Sequence, residues 1–284
     1  MREDMTEKLN NPLRQFFRRP GVFISLPSGG ESYSPEDIEF ENDSKELAVY
    51  PMTAIDEITT KTPDALFNGS AVVEIIKSCV PAIKNPWNIL SNDLDTILVA
   101  IKAAGGKESI DVESTCENEE CKTQATFAIN LQQMLRSLSP GEYEKPLKVG
   151  DLEIHFKPIT YKQLNDIALK QFDLRAKYKD INTMENVDDR LRESQEALKD
   201  ITKITMFIIS RSIDKIVTAD TEVRDADFIL DFLEQTDTTM YEKIRDYQIK
   251  LKQQSTIKPL QMTCDACGHQ YTQQFTLNAS DFFG

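Results

Sequence analysis

Five cysteines and two histidines are the side chains of this sequence with the widest chemical reach. Four of the cysteines fall into two close pairs. Four residues separate Cys116 from Cys121, and two separate Cys264 from Cys267. Each pair is flanked by residues of extended type, SIDVEST before the first and PLQMT before the second. That places each pair at the tip of a β-hairpin, which is the knuckle geometry of a zinc ribbon. Two such knuckles offer four thiolates. These close a tetrahedron around Zn²⁺ at about 2.3 Å and leave no open position for a reactive water. Cys116, Cys121, Cys264 and Cys267 are therefore the expected ligands of one structural zinc ion, with roughly 140 residues between the pairs. Ordinary buried cysteines and a disulfide are the competing readings. A chain of this length needs no disulfides in order to fold, and in a reducing compartment paired thiols favour a metal. Cys79 stands alone in a helical pattern and reads as a small core residue. Asp265 and His269 flank the second pair, with His269 read as a surface residue of the knuckle. His155 lies in an alternating strand run, on the face opposite Ile154 and Phe156.

The remaining residues point away from catalysis. There is no Gly-x-Gly-x-x-Gly, no P-loop, no Gly-x-Ser-x-Gly elbow and no His-Glu-x-x-His. The turn in LPSGGESY is explained by a hairpin better than by a phosphate site. The net charge of -14 repels nucleic acid and anionic membranes at long range and favours basic protein partners. No apolar run reaches the roughly 18 residues of a membrane span, and no signal sequence opens the chain, so folding in a cytoplasm is expected.

The elements that must position the cysteines follow from periodicity. Residues 1–19 are polar, end in Arg18 and Arg19, and read, through residue 20, as a docking arm; deleting 1–19 is expected to spare folding and impair assembly. Leu13, Phe16, Phe17, Arg18 and Arg19 are its expected partner-docking residues. From Gly21 a strand, a Pro-Ser-Gly-Gly turn and a returning strand are expected, then a strand over 46–53. Helices follow across 54–69 and 70–83, and another over 92–105, capped by Asn92 or Asp93 and stopped by Gly105 and Gly106. A hairpin with a Gly-Asp turn spans 145–160. Helical runs are expected over 161–181, 188–216, 225–236 and 240–254. Matching strings recur in the same order: Pro51-Met52-Thr53 and Pro158-Ile159-Thr160 each precede a helix, and Thr115-Cys116 corresponds to Thr263-Cys264. Phe127, Ile129 and Asn130 correspond likewise to Phe275, Leu277 and Asn278. The expected fold is α+β. Two pseudo-repeated halves, 21–135 and a mainly helical 136–284, each carry short hairpins, a helical segment and a cysteine knuckle, and the zinc site joins them.

Three strings, NNPLRQFFRRPGVFISLPSGG, ELAVYPMTAIDEITTKTPDALFNG and KSCVPAIKNPW, together with the first knuckle, resemble the baseplate hub proteins of T4-like contractile-tailed bacteriophages. The resemblance is clearest over residues 10–135 and looser through HFKPITYKQL and the terminal knuckle. It implies a structural protein without a catalytic site, made in the host cytoplasm and placed in the tail baseplate of the virion. Its partners would be other hub, tube or wedge proteins, in several copies of a symmetric assembly. A hub-assembly chaperone absent from the mature virion is the alternative. A zinc-ribbon regulator that binds nucleic acid is a further one, which the charge opposes.

Overall fold

The computed structural model describes residues 11–61, 68–139, 141–184, 186–255 and 257–273. Eight α-helices and several small antiparallel sheets make up these residues, a mixed α+β architecture. The first core is built around β1 (Val22–Ile24) and β2 (Leu47–Val49), which pair antiparallel with Val22 opposite Val49. Helices α1 (Ala54–Thr60), α2 (Ser70–Cys79), α3 (Ser91–Ala104) and α4 (Leu131–Ser137) follow. The apolar faces of α2 and α3 bury Val72, Ile75 and Ile76 against Ile97, Leu98 and Ile101. Gly21 admits the close approach of β1 to α3, since a Cβ there would lie 2.5 Å from the carbonyl oxygen of Ala104. The helical expectation for 54–69 holds through Thr60, and residues 62–67 lie outside the described residues.

The returning strand expected after the Pro-Ser-Gly-Gly turn does not form. Gly29 and Gly30 adopt φ of +71° and +73°, and the chain continues in turns until it reaches β2. The reason is a buried carboxylate. Asp93 accepts hydrogen bonds from the Ser28 N–H at 2.9 Å, the Ser28 hydroxyl at 2.6 Å and the Tyr33 hydroxyl at 2.6 Å. The Tyr33 oxygen in turn accepts from the Leu90 N–H. These bonds draw the loop onto the N-terminus of α3 and remove Asp93 from the capping role expected of it or of Asn92. The N-cap is Leu90 instead, with no side-chain bond. Burial is the largest influence on Asp93 and pushes its carboxyl above the ordinary range, against the three bonds that favour the charge.

The strings that match between the two halves have the same physical content. Thr53 caps α1 in a reciprocal capping box with Asp56, and Thr160 caps α5 (Tyr161–Asn182) in one with Gln163. The second core packs a four-stranded sheet in the order β5-β6-β7-β8 (Leu147–Val149, Leu152–Phe156, Ile213–Val217, Glu222–Val223). Against it lie the end of α6 (Val187–Ser212), α7 (Ala226–Gln235) and α8 (Thr238–Gln254). The helix expected over 188–216 stops at Ser212. Its β-branched end, Ile213, Ile216 and Val217, pairs with β6 as a central strand. The Gly-Asp turn falls where expected, and His155 pairs with Lys215 between the buried Ile154 and Phe156.

Replacing Asp93 by Ala leaves the Ser28 and Tyr33 donors without their acceptor. The expected loss is about 2–3 kcal/mol, measured by urea unfolding. A loss below about 0.5 kcal/mol would mean that the loop is held by packing alone.

Candidate metal centre

The two cysteine pairs sit on two hairpins. Strands β3 (Ser109–Thr115) and β4 (Gln124–Asn130) carry the first pair, and β9 (Leu260–Thr263) and β10 (Gln270–Gln273) carry the second. Both tips turn in the same way. The residue after the second cysteine of each pair is left-handed, Lys122 at φ +47° and Gly268 at φ +73°. In each hairpin the first cysteine closes the turn through its backbone, Cys116 N–H to Thr123 O and Cys264 N–H to His269 O, both at 2.9 Å. The expected equivalence of Phe127, Ile129 and Asn130 with Phe275, Leu277 and Asn278 falls on residues outside the described ones.

The hairpins pack together over a small core of Met262, Tyr271, Phe127 and Leu260. A polar link crosses the seam. The Ser114 hydroxyl donates to Gln273 Oε1 and lies 3.0 Å from the Tyr271 hydroxyl. This packing brings the four thiols together, and all four Sγ atoms lie within 4.8 Å of one another. Two of the contacts cross between the hairpins, Cys116 to Cys267 at 3.7 Å and Cys121 to Cys264 at 3.8 Å. No disulfide forms. Cys116 and Cys264 are buried, while Cys267 reaches solvent. The Thr123 hydroxyl, 3.1 Å from Cys121 Sγ, holds that thiol down at about 6, whereas burial pushes Cys116 up to about 12. A cluster of four convergent sulfur donors can hold a metal ion. Asn118, which spacing alone did not single out, aims its amide at Cys267 Sγ at 3.9 Å. His269 is exposed and stacks on Tyr271, as expected of a knuckle-surface residue.

The expected docking residues separate into two groups. Leu13, Phe16 and Phe17 are 59%, 76% and 55% exposed on a short 3-10 turn, and Arg19 is exposed beside them. Arg18 instead turns inward. Its guanidinium donates to the Pro51 and Ser78 carbonyls and the Ser78 hydroxyl, lies 3.5 Å from Asp56, and sits over the Tyr50 ring. Arg18 is thus anchored to the body of the protein, whereas the other four expected docking residues are exposed. Cys79 is fully buried beside it, and burial pushes its thiol up to about 11, in keeping with a core role.

A profile of the T4 bacteriophage base plate protein family matches residues 27–284, a span that holds both cysteine pairs. The chain belongs to that family. The match runs through both halves of the sequence, well beyond the stretch where the resemblance is clearest. Membership associates this base plate protein with the tail of the virion and with other baseplate components. Comparison with curated proteins and with solved structures finds no match. Among the described residues, no helix is long and apolar enough to cross a membrane.

Metal content and stability should move together. The protein purified under reducing conditions should carry one metal equivalent by elemental analysis. Cys116→Ser and Cys264→Ser should each lose it and melt about 10 °C lower. Variants that melt like the wild type and retain the same metal would sink the assignment.

Proposed function

We propose that this base plate protein is a structural subunit of the contractile-tail hub. In this reading it is stabilised by one zinc ion, acts through protein–protein docking and performs no catalysis. The observation that carries the reading is the sulfur cluster inside the family span. Tetrahedral zinc with bonds of about 2.3 Å requires sulfur–sulfur edges of about 3.8 Å, and two edges of the cluster are 3.7 and 3.8 Å. Four thiolates would fill the coordination sphere, so the ion would supply rigidity and no reactive water. The reading divides the chain into a docking arm (1–20), a first half (21–135) and a second half (136–284), clasped by the metal. The two large cores support the division. The first draws mainly on residues 24–138, the second on 143–251.

Docking would use both shape and charge. Leu13, Phe16 and Phe17 offer apolar side chains that a partner groove can desolvate, with Arg19 at the rim. The acidic remainder suits basic patches on neighbouring hub, tube or wedge subunits, repeated around a symmetric assembly.

Quantitative mass spectrometry of purified phage particles tests the hub role. A few copies per tail, calibrated against a tail protein of known copy number, is the expected result. Presence in infected-cell lysate with absence from particles would replace the hub subunit by a hub-assembly factor. A second expectation concerns the arm. Deleting residues 1–17 should leave the melting temperature unchanged and impair assembly. Extending the deletion through Arg18 uncovers Asp56 and should cost about 1–3 kcal/mol. Equal stability of the two truncations would refute the anchoring role of Arg18.

A further inference from the structure

Helices α5 and α6 form an antiparallel hairpin whose two faces differ in chemistry. One face is laced with ions. Lys177 of α5 lies 3.6–3.9 Å from Glu193, Glu196 and Asp200 of α6, with Lys170, Asp173 and Lys203 around it. The other face opens as a groove of about 250 Å³ lined by Leu174 and Tyr178 from α5 and Ile201, Ile204 and Ile208 from α6. Arg175 is the one charged residue of that lining. The apolar character continues along α6 beyond the groove. Val187, Leu191 and Leu198 are each more than half exposed, and Ile201 is 38% exposed. Their spacing of four, seven and three residues is the alternation of a coiled-coil seam, with Ser194 at the one polar position between them. A seam of this kind left in water is an interaction surface.

We infer that this face pairs with the same face of a second copy of the chain, the two hairpins lying antiparallel across a two-fold axis near Leu198. The heptad spacing is self-complementary in that direction. Leu198 comes opposite the partner's Ile201, Leu191 opposite the partner's Ile208, and Ser194 opposite the partner's Thr205. The charge distribution favours a second copy. Basic and acidic residues nearly balance within 161–212, whereas the whole chain carries -14. Two acidic molecules meet with least repulsion through this neutral segment. Gln195 and Thr202, which flank the seam on its outer side, are uncharged, so self-pairing there opposes no like charges. The area suffices. A helix of 26 residues is about 39 Å long. A two-helix face about 15–20 Å wide then buries roughly 1,200–1,500 Å² in total, within the range of specific interfaces. The inference rests on the hairpin alone and does not depend on the metal or on the hub reading.

Analytical ultracentrifugation of the full chain at micromolar concentrations tests it. The expected species has twice the 32.4 kDa chain mass and dissociates on dilution. Leu198→Glu combined with Ile201→Glu should weaken the dimer by about tenfold or more with an unchanged circular dichroism spectrum. Ser194→Leu completes the seam and should tighten the dimer by about threefold or more, a gain that misfolding cannot imitate. Lys203→Glu, on the ion-laced face, should leave it unchanged. A monomer at every concentration overturns the inference. So does a dimer indifferent to residues 194, 198 and 201.

Discussion

Two cysteine pairs lying 143 to 151 residues apart meet within a few ångströms, and that closure is the constraint the rest of the architecture has to meet. Closing a loop of this length costs several kcal/mol of chain entropy. Neither hairpin can meet that cost by itself. β9 and β10 have four residues each, and an isolated two-stranded hairpin is marginal in water. The core beneath the sulfurs is small, with Met262 and Tyr271 as its buried apolar residues besides two of the cysteines. Two further sources of free energy are available. One is the pair of large cores, which bring the hairpins near each other before any thiol is engaged. The other would be a metal ion held by the sulfur cluster, since its binding free energy would become folding free energy.

The first core achieves its part through polar groups placed under apolar ones. Asp93 holds the 25–46 loop over α3, and Arg18 holds the end of the arm against α1 and α2. Each is a charge removed largely from water and surrounded by several hydrogen bonds, the condition under which buried charge specifies a structure. Arg18 also sets the orientation of what precedes it. With the guanidinium turned inward, the aromatic side chains at 16 and 17 face solvent, where a neighbouring subunit can reach them.

What was legible in the sequence was local. The cysteine spacing, the Gly-Asp turn and the Thr-initiated helices each depend on residues within a few positions of one another, and those features took the expected form. What was illegible depended on distant partners. Asp93 has the spacing of an N-cap, and only the arrival of Ser28 and Tyr33 from some 60 residues away gives it another task. Ile213–Val217 continues a helical pattern without a break. Pairing with β6 and β8 on both edges converts it into a strand, because two ladders of backbone bonds outweigh a weak local preference. Arg18 reads as surface charge until Asp56 and Ser78 are folded beneath it. Asn118 and Thr123 carried no signal of their own. The Asn118 contact with Cys267 exists only once the two hairpins have met, whereas Thr123 meets Cys121 within its own hairpin.

The separation of the cysteine pairs also has a consequence in time. A ribosome adding about 5–20 residues per second needs roughly 7–30 seconds to pass from Cys121 to Cys264, which lie 143 residues apart. Throughout that interval the first knuckle has two sulfurs and no partners for them. The first large core has most of its buried residues by then, with Leu131, Met134, Tyr161 and Ile257 still to emerge. The sulfur cluster is therefore a late lock. It records that synthesis has passed Cys267, because a nascent or truncated polypeptide that stops short of the second pair can never close it.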